Sequence, residues 1–167
     1  ITIGNDTIHV LASHPTPPVF DGPEDRNGHR NHDEVRFWLD YIGEHSAYIY
    51  DDQGHRGGLG KDKRFVIVGD LNSSPDEGDA YGNAIVLLNQ HPAIITKPVP
   101  QSAGGVAHSK RSPFAASHTA GWRMRADYVL PSKQGLELLK NGVFWPAPND
   151  PMAELVATRE ASSDHRL

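Results

Sequence analysis

Three short stretches of the chain carry residue types suited to one kind of chemistry. Gly69-Asp70-Leu71-Asn72 follows the apolar run Phe65-Val66-Ile67-Val68, so it sets a carboxylate and an amide at the end of a strand. While the backbone stays extended, Asp70 and Asn72 point to one face. Arg125-Ala126-Asp127-Tyr128-Val129-Leu130 sets a second carboxylate within the strand-like run Met124 to Leu130. Ser163-Asp164-His165 brings an imidazole and a third carboxylate. His165 can serve as a base and Asp127 as the carboxylate that orients it. Carboxylates and an imidazole at the ends of buried strands suit metal-assisted cleavage of a phosphate ester, in which a cation neutralises the anionic phosphate.

Each stretch also has an ordinary explanation. Asp70 and Asn72 fit a strand-to-turn signal, because both types bond to nearby backbone. Asp127 could pair with Arg123 or Arg125, and Ser163-Asp164-His165 could be a polar chain end. A serine hydrolase built on Ser163 is disfavoured, since neighbours on a strand face opposite ways. The order of the three stretches and their flanks weigh against chance.

With these stretches, the chain resembles the endonuclease/exonuclease/phosphatase superfamily, whose fold is that of deoxyribonuclease I, from about Ile8 to His165. A histidine closing an early strand, His14 after Thr7 to Ser13, adds to the likeness. The run His14 to Glu34, with Pro15-Thr16-Pro17-Pro18-Val19-Phe20-Asp21-Gly22-Pro23 at its start, is similar to a bacterial, usually secreted subgroup. The resemblance implies an α/β fold, a four-layer sandwich with mixed, largely antiparallel sheets. Family members begin with strands that carry an asparagine and a metal-binding glutamate, and a further glutamate pairs with the first histidine. No such segments lie within residues 1–167, which are therefore expected to form the C-terminal portion of one domain.

The roles implied by the resemblance follow residue by residue. Asp70 binds the metal or orients the attacking water, and Asn72 donates its amide to a phosphate oxygen. His165 takes a proton from water while Asp127 fixes its tautomer. Asp164 faces the metal, and His14 donates to the phosphate or protonates the leaving group. The cation is Mg²⁺ or Mn²⁺, with Ca²⁺ as the alternative. The partners are a phosphate ester substrate and the other half of the same domain. A portion lacking the family's glutamate is expected to be inactive alone. Two other readings stand beside this one: a phospholipid or sphingolipid phosphodiesterase, and a non-catalytic binding module retaining the fold.

The rest of the sequence must position these groups. At 167 residues the length allows one domain. The net charge of −5 argues against a strongly basic nucleic-acid surface, although nucleic acid remains an open partner. There is no cysteine, which excludes disulfides and thiolate metal sites. No apolar stretch approaches the ~18 residues of a membrane helix. The pattern predicts a hairpin around Gly4-Asn5-Asp6, a strand over 7–13 and a loop over 15–30. A helix should begin at Asn31 with Glu34 in capping-box spacing, and carry an apolar core stripe of Val35, Trp38, Leu39, Ile42 and Ile49. His29 and His32 flank Arg30, a cluster that can bind an anionic substrate or cap that helix. Further expectations are a solvated loop over 51–63, a strand over 64–69 and a capped helical turn at Ser74-Pro75-Asp76-Glu77. A helix near 84–88, a second long loop over 97–119, a strand pair or edge strand over 135–145 and a helical stretch within 153–159 complete the reading. His108 and His118 bracket the second loop.

Overall fold

The computed structural model describes residues 1–166. Four strands form one mixed sheet in chain order: β1 (Thr2–Ile3), β2 (Asp6–Ala12), β3 (Arg64–Asp70) and β4 (Asp127–Pro131). β1 and β2 make an antiparallel hairpin, β2 and β3 run parallel, and β3 and β4 run antiparallel. A parallel pair needs a long crossover, and α1 (Arg26–Ile42) supplies it.

Register follows burial. Leu11, Ile67 and Leu130 stand in one cross-strand row, with Phe65 and Tyr128 on the same face. That face packs against Val35 and Trp38 of α1 and against Ala84, Ile85 and Leu88 of α2 (Ala84–Gln90). The alternate residues, Val10, Val66, Val68 and Val129, occupy the other face, where Val10 and Val129 are exposed.

Local chemistry explains the details near the sheet's end. Gly69 has φ of 146°, and a Cβ there would lie 1.9 Å from the Ser13 carbonyl oxygen. Only glycine lets β3 pass that close to the end of β2. Tyr128 is fully buried, and its hydroxyl donates to the Ser73 carbonyl at 2.8 Å. Burial pushes the Tyr128 phenol far above its ordinary value, so it acts as a fixed donor.

Several expectations are corrected. α1 begins at Arg26, five residues before Asn31, takes 26–30 out of the expected loop, and ends at Ile42 before Gly43, so Ile49 falls outside its stripe, after the 3-10 turn Ser46–Tyr48. Its first turn is satisfied from upstream, since the Asn27 N–H donates to the Asp21 carboxylate at 2.5 Å. Asn31 lies inside the helix, buried, and its amide donates to the carbonyls of Thr16 and Leu71. Glu34 does not cap the helix; it accepts from the Thr16 N–H at 2.6 Å. Ser74 to Glu77 forms bends rather than a helical turn. The second loop contains α3 (Ala103–His108) and a 3-10 turn, Ala115–Ser117. Residues 135–145 form no strand, because their backbone pairs only at scattered points such as Val143 N–H to the Gln101 carbonyl. The helical stretch near the chain's end is a 3-10 segment, Pro151–Val156.

Candidate active site

β3 and β4 carry the two central carboxylates. In the antiparallel register Asp70 stands directly opposite Asp127, so both side chains leave the same face. Beyond Asp70 the strand ends. The Leu71 N–H donates to the Ala126 carbonyl at 2.8 Å, which ties the turn to β4. Asn72 has φ of 50°, a left-handed conformation that asparagine tolerates. Its N–H donates to the Asp70 carboxylate at 2.9 Å, and its side-chain amide donates to the Pro15 carbonyl at 3.1 Å. Asn72 therefore does not share a face with Asp70 through extended backbone, as its spacing predicts. The turn brings it near Asp70 by a different route.

His165 arrives from the other end of the chain. It bridges to Ala120, and its Nδ1 lies 3.0 Å from both carboxylate oxygens of Asp127. Its Nε2 lies 3.7 Å from Asp70. One donor atom from each of Asp70, Asp127 and His165 falls within 4.8 Å of the others. His14 reaches the edge of this group, with Nε2 3.3 Å from Asp70 and most of its ring in solvent.

Burial pushes the Asp70 carboxyl above its ordinary value. The Asn72 N–H and the imidazoles of His165 and His14 pull it back, and the neighbouring Asp127 adds to the rise. Two adjacent carboxylates beside an imidazole fit a divalent cation, because hard cations take oxygen donors and relieve like-charge repulsion.

The other expected residues sit around this centre. Asp164 faces a cavity of about 740 Å³ that His165 and Asn72 also line, and its carboxylate lies 3.6 Å from Arg159. It is outside the three-residue group. Arg30 is exposed, lies 3.8 Å from Glu34, and borders a separate shallow hollow with His14 and Pro17. His32 packs edge-on against Tyr81, and His29 packs tilted against the same ring with centroids 3.9 Å apart.

Thr119, His118 and Glu77 hold the framework through contacts that local sequence does not signal. The Thr119 hydroxyl accepts from the N–H groups of Ala126 and Asp127, at 2.9 and 3.0 Å, and fixes the start of β4. The Thr119 carbonyl accepts from the Arg166 N–H at 2.6 Å, which secures the residue after His165. His118 is completely buried beside it. Its Nε2 lies 2.7 Å from Glu77, and its Nδ1 lies 3.0 Å from the Ser109 hydroxyl. A neutral ring with its proton on Nε2 satisfies both contacts. Glu77, expected as a helix cap, thus clamps the segment that holds Asp127 and His165. Its pairing with a residue forty-one positions away lies beyond local patterns.

No curated protein and no solved structure matches the chain. A family model does, over residues 4–165, nearly its whole length. With that match, the chain belongs to the endonuclease/exonuclease/phosphatase family.

Proposed function

We propose that the chain carries the catalytic centre of a metal-dependent phosphoesterase. Members of the family are generally hydrolases of phosphate esters, and typically use divalent metals. The observation that carries the reading for this chain is the convergence of Asp70, Asp127 and His165 at one end of the sheet.

The geometry supports the following roles. The two oxygens of Asp127 hold His165 Nδ1–H, which leaves Nε2 as the basic nitrogen facing Asp70. His165 takes the proton of the attacking water. Asp127 keeps the ring oriented and stabilises the imidazolium. Asp70 holds the cation or the water, and Asp164 approaches from the cavity side where its pairing with Arg159 opens. Asn72 turns its second amide hydrogen to the phosphate, the first being held by Pro15. His14, exposed beside Asp70, contacts the phosphate or the leaving group. Arg30 draws the anion towards the His14 side. A bound Mg²⁺ or Mn²⁺ would be held by Asp70 and would neutralise the phosphate charge.

The family pattern also calls for a glutamate ligand and a carboxylate partner for His14. The assay uses the full-length protein. Hydrolysis of bis(p-nitrophenyl) phosphate and p-nitrophenyl phosphate is followed with Mg²⁺, with Mn²⁺ and with chelator. Activity that needs the cation and drops by roughly 10²- to 10⁴-fold in His165→Ala supports the reading. Activity that survives chelation, or an unchanged rate in His165→Ala, refutes it. The subgroup likeness adds secretion to the proposal, which cell fractionation checks.

A further inference from the structure

A second cavity, of about 260 Å³, runs along β4 and shares no lining residue with the 740 Å³ cavity beside His165. Its lining holds three cations, Arg125, Lys140 and Arg166, and one carboxylate, Asp127. Arg125 and Arg166 are each 7% exposed. A guanidinium this deep ordinarily pairs with a carboxylate, because burying an unpaired charge is costly. Among the described residues neither does. The Arg125 guanidinium lies 4.3 Å from the centre of the Tyr128 ring, and Asp76 acts on it only from beyond ion-pair distance. Burial pushes it below its ordinary value. Arg166 donates to the carbonyls of Ser163, His165 and Val156 through its terminal nitrogens. Its Nε is sealed from solvent and has no acceptor. A buried donor without an acceptor points to a bound water or ion.

Two neutral donors line the same cavity. The Thr119 hydroxyl oxygen accepts the N–H groups of Ala126 and Asp127, so its own hydrogen is left to donate. The Ser132 N–H donates to the Phe65 carbonyl, and the Leu71 N–H donates to the Ala126 carbonyl. The even-numbered residues along β4 therefore bond to β3, and Val129 turns its N–H to the free edge of the sheet. The one carboxylate is already engaged, since both oxygens of Asp127 lie 3.0 Å from His165 Nδ1.

We infer that this cavity binds a small tetrahedral oxyanion, phosphate or sulfate, at a site separate from the catalytic centre. Its volume lies below the range of pockets for larger organic ligands, roughly 300–1,000 Å³. Arginine forks match the oxygens of such an ion. Donors drawn from separate segments, at Thr119, β4, Lys140 and Arg166, suit a tetrahedral ion better than a planar carboxylate. Arg125 lies two residues before Asp127, and Arg166 directly follows His165. A bound oxyanion therefore ties together the two segments that carry the base and its orienting carboxylate. That consequence rests on the phosphoesterase reading; the binding itself does not.

The test titrates the full-length protein with inorganic phosphate, sulfate and acetate by calorimetry, in chelator so that no divalent cation is present. Phosphate and sulfate should bind, and acetate should bind more weakly. Arg125→Met should weaken phosphate binding by about tenfold or more, the scale of one charge-assisted hydrogen bond. Lys140→Gln, at an exposed position, should weaken it less and reduce its dependence on ionic strength. Phosphate should raise the melting temperature of wild type more than that of Arg125→Met. His14→Ala and Arg30→Ala, on the catalytic side, should bind phosphate as wild type does. Failure of phosphate and sulfate to bind overturns the inference, and so does acetate binding as tightly as phosphate. Unaltered affinity and salt dependence in Lys140→Gln overturns it whether or not Arg125→Met folds. A loss in His14→Ala or Arg30→Ala as large as that in Arg125→Met places the anion at the catalytic centre and also overturns it. The phosphoesterase reading is tested separately by turnover, so either conclusion can fail while the other stands.

Discussion

Asp70 and Asp127 face each other across the last paired position of β3 and β4, with Asp127 bound to His165 and Asp70 bound to the Asn72 N–H. Like charges directly opposite on a sheet are destabilising. The arrangement makes the two carboxylates unequal. Asp127 spends both oxygens on an imidazole. Asp70 has the backbone N–H of Asn72 and more distant imidazoles, and burial lifts its pKa.

That inequality sets a pH dependence of stability. The folded chain holds the Asp70 proton more tightly than the unfolded chain does, so this contribution is complete below the ordinary aspartate value of 3.8. It is lost as pH rises through the raised folded-state value. Asp70→Asn cannot ionise and lacks this loss. Thermal melts from acid to neutral pH should show wild type losing ground to Asp70→Asn as pH rises, then levelling off. Millimolar Mg²⁺ should raise the melting temperature of wild type more at neutral than at acid pH, because cation and proton compete for one carboxylate. A pH-independent difference between the two proteins would show that Asp70 carries no such burden.

The His165–Asp127 contact predicts non-additive kinetics. Asp127→Asn leaves the imidazole in place but replaces the carboxylate, both of whose oxygens lie against Nδ1, with an uncharged amide that keeps one acceptor, adds an N–H donor and no longer stabilises the imidazolium. Its loss should lie within the ~10²- to 10⁴-fold expected for His165→Ala, and below it. The double variant should be no slower than His165→Ala alone, since the carboxylate acts only through the ring. Multiplying losses in kcat would mean that Asp127 touches substrate or cation independently.

Part of this framework is legible in the sequence, and the reason differs by element. β3 reads plainly because Phe65 to Val68 is a continuous apolar run, as a strand between two neighbours should be. The positions of Asp70, Asp127 and His165 follow from strand-end motifs. The start of α1 does not, because Asp25 makes no side-chain cap and the first turn borrows Asp21. α3 is hidden by Gly104 and Gly105, poor helix formers. Gly104 is there for packing, since a Cβ would lie 2.2 Å from the Trp145 ring. The i, i+2 spacing of Asp70 and Asn72 implies a shared face only for extended backbone, and the left-handed φ of Asn72 breaks it.

The Glu77–His118 clamp predicts a stability effect with a kinetic signature. Glu77→Ala leaves the fully buried His118 Nε2 without its carboxylate, a cost of about 1–3 kcal/mol. Urea unfolding should show that loss. Because Thr119 follows His118 and fixes Asp127, kcat should fall more than KM rises. Glu77→Gln keeps an acceptor and should recover most of both. Equal losses in Gln and Ala would mean that the charge, rather than the hydrogen bond, holds the segment.

Asn31 gives the sharpest link between the loop after His14 and the carboxylates. Its single buried amide donates at 2.9 Å to the Thr16 carbonyl, at the root of the Pro17–Phe20 loop, and at 2.9 Å to the Leu71 carbonyl, between Asp70 and Asn72. One side chain therefore sets the spacing of the two segments that bound the site. Asn31→Leu preserves bulk but leaves both carbonyls without this donor, a loss of about 1–3 kcal/mol per unsatisfied group. The two segments then lose their common anchor. Unfolding by urea should show the stability loss, and turnover should show reduced kcat/KM even at temperatures where the variant is fully folded. Asn31→Asp adds an acceptor facing two acceptors and should be worse than Asn31→Leu at neutral pH, recovering as the new carboxyl is protonated. An Asn31→Leu enzyme with unaltered kcat/KM below its melting transition would show that the loop and the Asp70 turn hold their positions independently.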